Sequence, residues 1–222
     1  MSGKEPESAT VSPSMQMMQL LWPGAMAVQA IHVAAQLSLA DLVANGPKTV
    51  TELAVSAQAH GPSLGGFLRA LTSLGIFAED AEGRYRQTAL SETLRGSHPQ
   101  SIRPWAMMLG TRFVWEPSGA LALTIRTGQP AFEQIYRKHF FEHLAEHQDD
   151  AAVFNAAMSS VPAHIAAIVE AYDFSRFERV VDVGGATACF SLGFCRRTLR
   201  CAVCSTICRM WSPAQLRRGR VR

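Results

Sequence analysis

Residues 179–185 read Arg-Val-Val-Asp-Val-Gly-Gly. Two β-branched residues, Val180 and Val181, then Asp182 and Val183, lead into Gly184 and Gly185. This is the composition of a short buried parallel strand running into a glycine turn. A turn without Cβ atoms lets backbone N–H groups come up against a ligand. The carboxyl end of such a strand is where open α/β sheets take nucleotides. Two glycines without a third also describe an ordinary tight turn, so the motif alone leaves both readings open. Two other sets of residues could do chemistry. His139, His143 and His147 recur every four residues, with Glu142 and Glu146 between them. Imidazoles four apart can share a metal, but the spacing brings no third kind of ligand, and a solvated polar helix face accounts for it equally. Cys201 and Cys204 form a C-x-x-C with Cys208 beyond. There is no second pair, and no metal site is expected at either place.

The elements that must position these residues are set in an uneven chain. Its 222 residues, 48% hydrophobic and 18% charged, suffice for one or two globular domains with a core. The net charge of +3 hides a split: up to Asp182 there are 13 Lys and Arg against 18 acids, and beyond it eight Arg and no acid. All five cysteines, from Cys189 onward, also lie beyond it. Residues 8–40 carry no Asp, Glu, Lys or Arg. Gln16, Gln19, Gln29, Gln36, His32, Pro13 and Pro23 within them speak against a membrane span, since polar groups in lipid need partners. A buried or dimer-forming helix pair is expected there instead. Lys4 is offset by Glu5 and Glu7 with no cleavable apolar run after them, so a cytoplasmic location is expected.

Residues 1–14 are expected to be a disordered lead-in. A short helix over Met15–Leu21 should stop at Trp22-Pro23-Gly24. A longer one over Ala25–Ala44 follows, with Val28, Ile31, Ala35, Leu39 and Leu42 as its apolar stripe. Asn45-Gly46-Pro47 ends it. Thr49–Gln58 is the next helix, opened by a Thr49/Glu52 capping box. Ser63–Leu74 is the third, with Leu64, Phe67, Leu68, Leu71 and Leu74 facing inward. Ile76-Phe77 and Arg84-Tyr85-Arg86 flank an acidic tip and read as a hairpin. Helix, helix, hairpin is a winged-helix unit. It is expected to serve packing and dimerisation rather than nucleic-acid binding, because Ser63–Leu74 offers a single cation, Arg69, for phosphates. Residues 101–175 read as mainly helical, rich in Met and aromatic residues, with a break at Thr127-Gly128-Gln129-Pro130.

This order of parts resembles the S-adenosylmethionine-dependent O-methyltransferases of the plant caffeate and bacterial polyketide or carotenoid (hydroxyneurosporene-like) type. The similar segments are Phe67–Leu71, Leu74–Phe77, Thr127-Gly128, Phe140-Phe141-Glu142, Phe154–Met158, Tyr172–Ser175 and Val180–Gly185, over about residues 15–185. The resemblance implies a homodimer, S-adenosylmethionine as cofactor and a small-molecule hydroxyl as methyl acceptor, with neither nucleic acid nor membrane as partner. It places Asp182, Gly184, Gly185 and Met158 at the cofactor, and Phe154, Asn155 and Met158 at the acceptor. Pro162 stands where many relatives have a hydroxyl residue. The family's ribose-binding acid and catalytic histidine belong to a later part of its pattern, so no catalytic residue is assigned.

After Gly185 the family text stops. Back-translated and read from the third base of each codon, the tail permits Gly-His-Gly, later Ala-His-Pro-x-Leu-Arg, then Gly-x-Phe-Asp-x-Leu-Pro-His and Val-Val. The expectation is a change of reading frame at about Gly185. Residues 1–14 are then a lead-in, 15–100 a helical and winged-helix dimerisation domain, and 101–175 a helical linker with the acceptor pocket. Residues 176–185 begin the methyltransferase domain and 186–222 are an out-of-frame tail. The expected fold is mostly α, ending in the first strand of an incomplete Rossmann-like α/β methyltransferase domain. That strand would lack a partner, and the chain would be inactive in methyl transfer. Two other readings stay open: a non-enzymatic dimeric winged-helix binding or regulatory protein, and an intact small methyltransferase with a divergent cofactor loop.

Overall fold

The computed structural model describes residues 12–160, 170–172, 179–183 and 202–206. The chain divides into two compact units, Met1–Thr88 and Ala89–Arg222.

The first unit opens with α1 (Pro13–Gln36). Ser12 caps it, its side chain accepting from the Met15 N–H at 3.3 Å, and Pro13 fits the first turn because its missing N–H would be unbonded there anyway. The break expected at Trp22-Pro23-Gly24 does not occur, and α1 runs through it. Pro23 forfeits one backbone hydrogen bond, but the Met, Gln, Leu and Ala residues on either side are strong helix formers that carry the backbone across. The helix ends earlier than expected, at Gln36. Ser38 adopts the left-handed conformation at φ 53°, and a separate short helix, α2 (Leu39–Leu42), follows. The stripe assigned to one helix is thus shared by two.

The reciprocal bonds of the Thr49/Glu52 box open α3 (Val50–Ser56): Thr49 Oγ1 accepts from the Glu52 N–H at 3.3 Å, and Glu52 accepts from the Thr49 N–H at 2.8 Å. The next helix, α4 (Gly61–Ser73), starts two residues before the expected Ser63, with Pro62 in its first turn. Leu64, Leu68 and Leu71 face inward as expected, whereas Leu74 stands past the helix end and is exposed. Gly75, at φ 73°, makes the left-handed turn out of α4. The hairpin is antiparallel, β1 (Phe77–Glu79) against β2 (Tyr85–Gln87), with Ala78 opposite Arg86. At its tip Asp80 accepts from the Arg84 N–H at 2.8 Å and from Arg84 Nε at 2.9 Å. Leu39, Leu53, Leu68, Leu71, Phe77 and Tyr85 form the core of this winged helix.

The second unit is helical through α5 (Ala89–Glu92), α6 (Arg103–Leu109), α7 (Arg112–Gly119), α8 (Leu121–Thr127), α9 (Ala131–Tyr136), α10 (Phe140–Glu146) and α11 (Gln148–Ser159). Its core gathers on Met108, Phe113 and Ala157. Gly128, left-handed at φ 70°, ends α8 at the expected break.

Two strands complete the description, β3 (Arg179–Val183) and β4 (Ala202–Thr206). They pair in parallel, Arg179 opposite Ala202 through Val183 opposite Thr206. This corrects the expectation that the first strand of the methyltransferase domain has no partner. Five residues containing Val203 and Thr206 suffice for a strand, which needs no long alternation when short. The residues between the strands outnumber the dozen or so that a parallel connection requires.

Candidate functional site

Helix α11 carries three of the residues placed at the site. Phe154, Asn155 and Met158 fall at i, i+1 and i+4, so Phe154 and Met158 share one stripe. Both pack against the Met108, Phe113 and Ala157 cluster. The Phe154 ring meets Phe140 edge-on at 5.2 Å and Phe141 at 6.2 Å, and Phe141 is 40% exposed. The result is an apolar, aromatic wall. One residue along the helix, Asn155 Oδ1 is buried and, among the described residues, has no hydrogen-bond partner. An unpaired buried carbonyl costs about 1–3 kcal/mol, which marks Asn155 as a place where an outside donor would be welcome. At the C-terminal end of α11, Ser159 and Ser160 join Gly96, His98, Ser101 and Arg103 around an open cavity of about 280 Å³.

Asp182 occupies the fourth position of β3, opposite Ser205. Gly184 and Gly185 lie outside the described residues. A nucleoside held at the carboxyl ends of two parallel strands wants an acid about twenty residues beyond the glycine turn to bind the ribose hydroxyls. The register puts Ser205 and Thr206 at that end of β4, and no acid follows Asp182 anywhere in the chain. The residues present do not fit the ribose of S-adenosylmethionine.

Each of the three periodic histidines has its own partner. His139 caps α10, and its Nδ1 meets Glu133 at 2.7 Å. That hydrogen bond, chiefly, raises the His139 pKa above the usual imidazole value. His143 is 4% exposed and its Nε2 meets Asp150 Oδ2 at 2.8 Å. His147 donates from Nδ1 to the His143 carbonyl at 2.9 Å. Among the described residues no group of three or more His, Cys, Asp or Glu could hold a metal. Cys204 lies on β4, while Cys201 and Cys208 lie outside the described residues.

Reading the sequence missed Asp150 and the Tyr136–Glu116–Arg112 chain. Tyr136 donates its hydroxyl to Glu116 at 2.8 Å, and Arg112 Nε donates to the same carboxylate at 2.6 Å. Burial first, and then Glu116, push Tyr136 up to about 12, while the Arg112 hydrogen bond, chiefly, holds Glu116 below its usual value. His143 and Asp150 sit 7 positions apart across the α10–α11 joint, and Glu116 and Tyr136 sit 20 apart on α7 and α9. The clues in the sequence are the Arg112/Glu116 pair at i, i+4 and a His and an acid on opposite sides of His147.

A winged-helix unit, a helical segment with an aromatic wall and the parallel start of an α/β sheet define the architecture of dimerising small-molecule methyltransferases. Two family models match in that order: the O-methyltransferase dimerisation domain over residues 19–97 and the O-methyltransferase domain over residues 119–197. The chain belongs to this O-methyltransferase family. It is 38% identical over 162 residues to the phenazine O-methyltransferase PhzM of Lysobacter antibioticus, covering 72% of this chain and 47% of that protein. The solved structure of LaPhzM superposes with a TM-score of 0.80 at 33% identity, covering 86% of this chain and 58% of that one. The O-methyltransferase NcsB1 from neocarzinostatin biosynthesis, solved with S-adenosylmethionine and 2-hydroxy-5-methyl naphthoic acid, superposes at 0.67 with 32% identity over 86% of this chain and 60% of that one. Structural neighbours thus bind S-adenosylmethionine. The chain spans about half the length of the curated relatives it matches. Among the described residues no helix is long and apolar enough to cross a membrane.

Proposed function

We propose that this chain supplies the dimerisation unit and the acceptor wall of an S-adenosylmethionine-dependent O-methyltransferase. The methyl acceptor would be a hydroxyl on a small aromatic, polyketide or isoprenoid molecule. Residues 15–100 pair two copies into a homodimer, and residues 101–175 present Phe154, Asn155 and Met158 to the acceptor. Asp182, Gly184 and Gly185 stand at the methionine end of the cofactor together with Met158. The observation that carries this reading is the aromatic wall on α11, with the Asn155 carbonyl beside it unpaired among the described residues, inside the stretch matched by the methyltransferase family. The partners proposed are a second copy and a small molecule, not nucleic acid or membrane. The location proposed is the cytoplasm, tested by fractionating producing cells.

One observation favours a second reading, a dimerising chain that transfers no methyl group: the carboxyl end of β4 carries Ser205 and Thr206 where the ribose needs an acid. Calorimetric titration with S-adenosylhomocysteine separates the two. Saturation well below about 1 mM, the weak end of ordinary ligand affinities, together with methylation of a hydroxynaphthoate or hydroxyphenazine panel, supports the enzyme. A folded dimer that takes up neither cofactor nor methyl group supports the second reading.

The acid-free, cysteine-rich tail belongs to the same proposal. A change of reading frame at about Gly185 accounts for its composition, with every cysteine and no acid beyond that point. Sequencing the gene across codons 180–210 tests it. An intact frame, with the same tail in close relatives, removes it.

A further inference from the structure

The joint between α10 and α11 is one residue wide. His147 closes α10 and opens α11. Its ring lies flat on that of His143, with centroids 4.0 Å apart and planes 14° apart. His143 is buried and ringed by aromatics: Tyr136 at 4.8 Å, Phe132 edge-on at 5.4 Å and Phe113 at 6.4 Å. Stacked neutral imidazoles behave as any aromatic pair does. The Asp150 carboxylate meets His143 at 2.8 Å and can offset one positive charge on the pair. A second proton would set two like charges face to face.

Among the described residues, charged and titratable groups face the pair from several elements. Asp150 comes from α11 and is bonded to His143. Tyr136 comes from α9, its hydroxyl held by Glu116 of α7. Glu133 of α9 is engaged with His139 at the start of α10. Glu146 of α10 feels both imidazoles but is bonded to Lys138. Among the described residues, one carboxylate is therefore bonded to the pair, and it serves His143.

We propose that the His143–His147 stack is an acid-sensitive latch on the α10–α11 joint, closed while at least one ring is neutral and opened when both are protonated. Opening loosens α11 and with it Phe154, Asn155 and Met158. The latch stands on the geometry of the joint, whatever the acceptor proves to be.

Hydrogen–deuterium exchange on the full chain tests it, corrected for intrinsic rates, from about pH 7.5 to about pH 5.5, either side of the ordinary imidazole value. Amides of α10 and α11 should lose protection by about tenfold or more relative to those of α3 and α4, as expected for a local opening rather than global unfolding. His147→Phe keeps a ring that stacks and takes no proton, and should abolish the difference. Asp150→Asn removes the neutralising charge and should move the opening to higher pH. Equal loss of protection in both pairs of helices, retention of the difference in His147→Phe, or an Asp150→Asn opening at lower pH overturns the latch. Should His147→Phe fail to fold, the direction of the Asp150→Asn shift decides alone.

Discussion

At Asn155 a side-chain carbonyl is buried, and among the described residues nothing donates to it. Asn155→Leu removes the orphan at similar volume, so the melting temperature should hold or rise. A fall of several degrees would mean that the amide has a structural partner after all. Tyr136 makes the opposite case, because its hydroxyl is fully used. Its pKa is raised to about 12 from 10, so the folded state favours the protonated phenol. That contribution is whole below about pH 10 and fades as the pH rises toward 12. Tyr136→Phe should remove this part of the alkaline sensitivity, read as unfolding midpoints between pH 9 and 12 (about the span of the shift). Phe113 is 2% exposed at the centre of the second core. Phe113→Ala should cost about 3–5 kcal/mol in denaturant titration.

Among the elements, those read correctly are the ones whose signals are local. The Thr49/Glu52 spacing, the Gly128 stop and the two halves of the hairpin each lie within a few residues, and each stands where expected. Thr49→Ala should lower stability by about 1 kcal/mol through the lost cap. At the hairpin tip, hydrogen bonds from Arg84 hold the Asp80 pKa below its ordinary 3.8. Asp80 therefore supports the turn above about that pH and gives up its support as the pH falls further. Two elements were illegible for physical reasons. The run of α1 through Pro23 depends on the sum of propensities over 24 residues, which outweighs one breaker. The pairing of β4 depends on a partner some twenty positions back in the chain, and no pattern within Ala202–Thr206 announces it. The site followed the same rule. The family resemblance proposes the α11 residues from one local segment, while Asp150 meets His143, and Glu116 meets Tyr136, only once helices pack.

At the scale of the molecule, the dimerisation match falls on a helix with an unusual surface. Residues 8–40 hold no charge, and on α1 Met17, Leu20 and Leu21 are 56%, 74% and 64% exposed in the single chain. A contiguous apolar face of this kind wants cover. If the proposed homodimer forms through this face, the double variant Met17→Lys, Leu20→Lys should shift sedimentation from dimer to monomer while leaving the helical signal intact. An unchanged dimer would place the contact elsewhere.

The same face has a chemical signature. Met15, Met17, Met18 and Met26 are about half exposed or more, while Met108 is 7% exposed inside the second unit. Peroxide converts accessible thioethers to sulfoxides and leaves shielded ones alone. The methionines of α1 therefore form a built-in footprint. Their rate of oxygen uptake, followed peptide by peptide with Met108 as the internal standard, should slow as concentration draws copies together. An oxidised helix, turned polar along that face, should no longer recruit a partner.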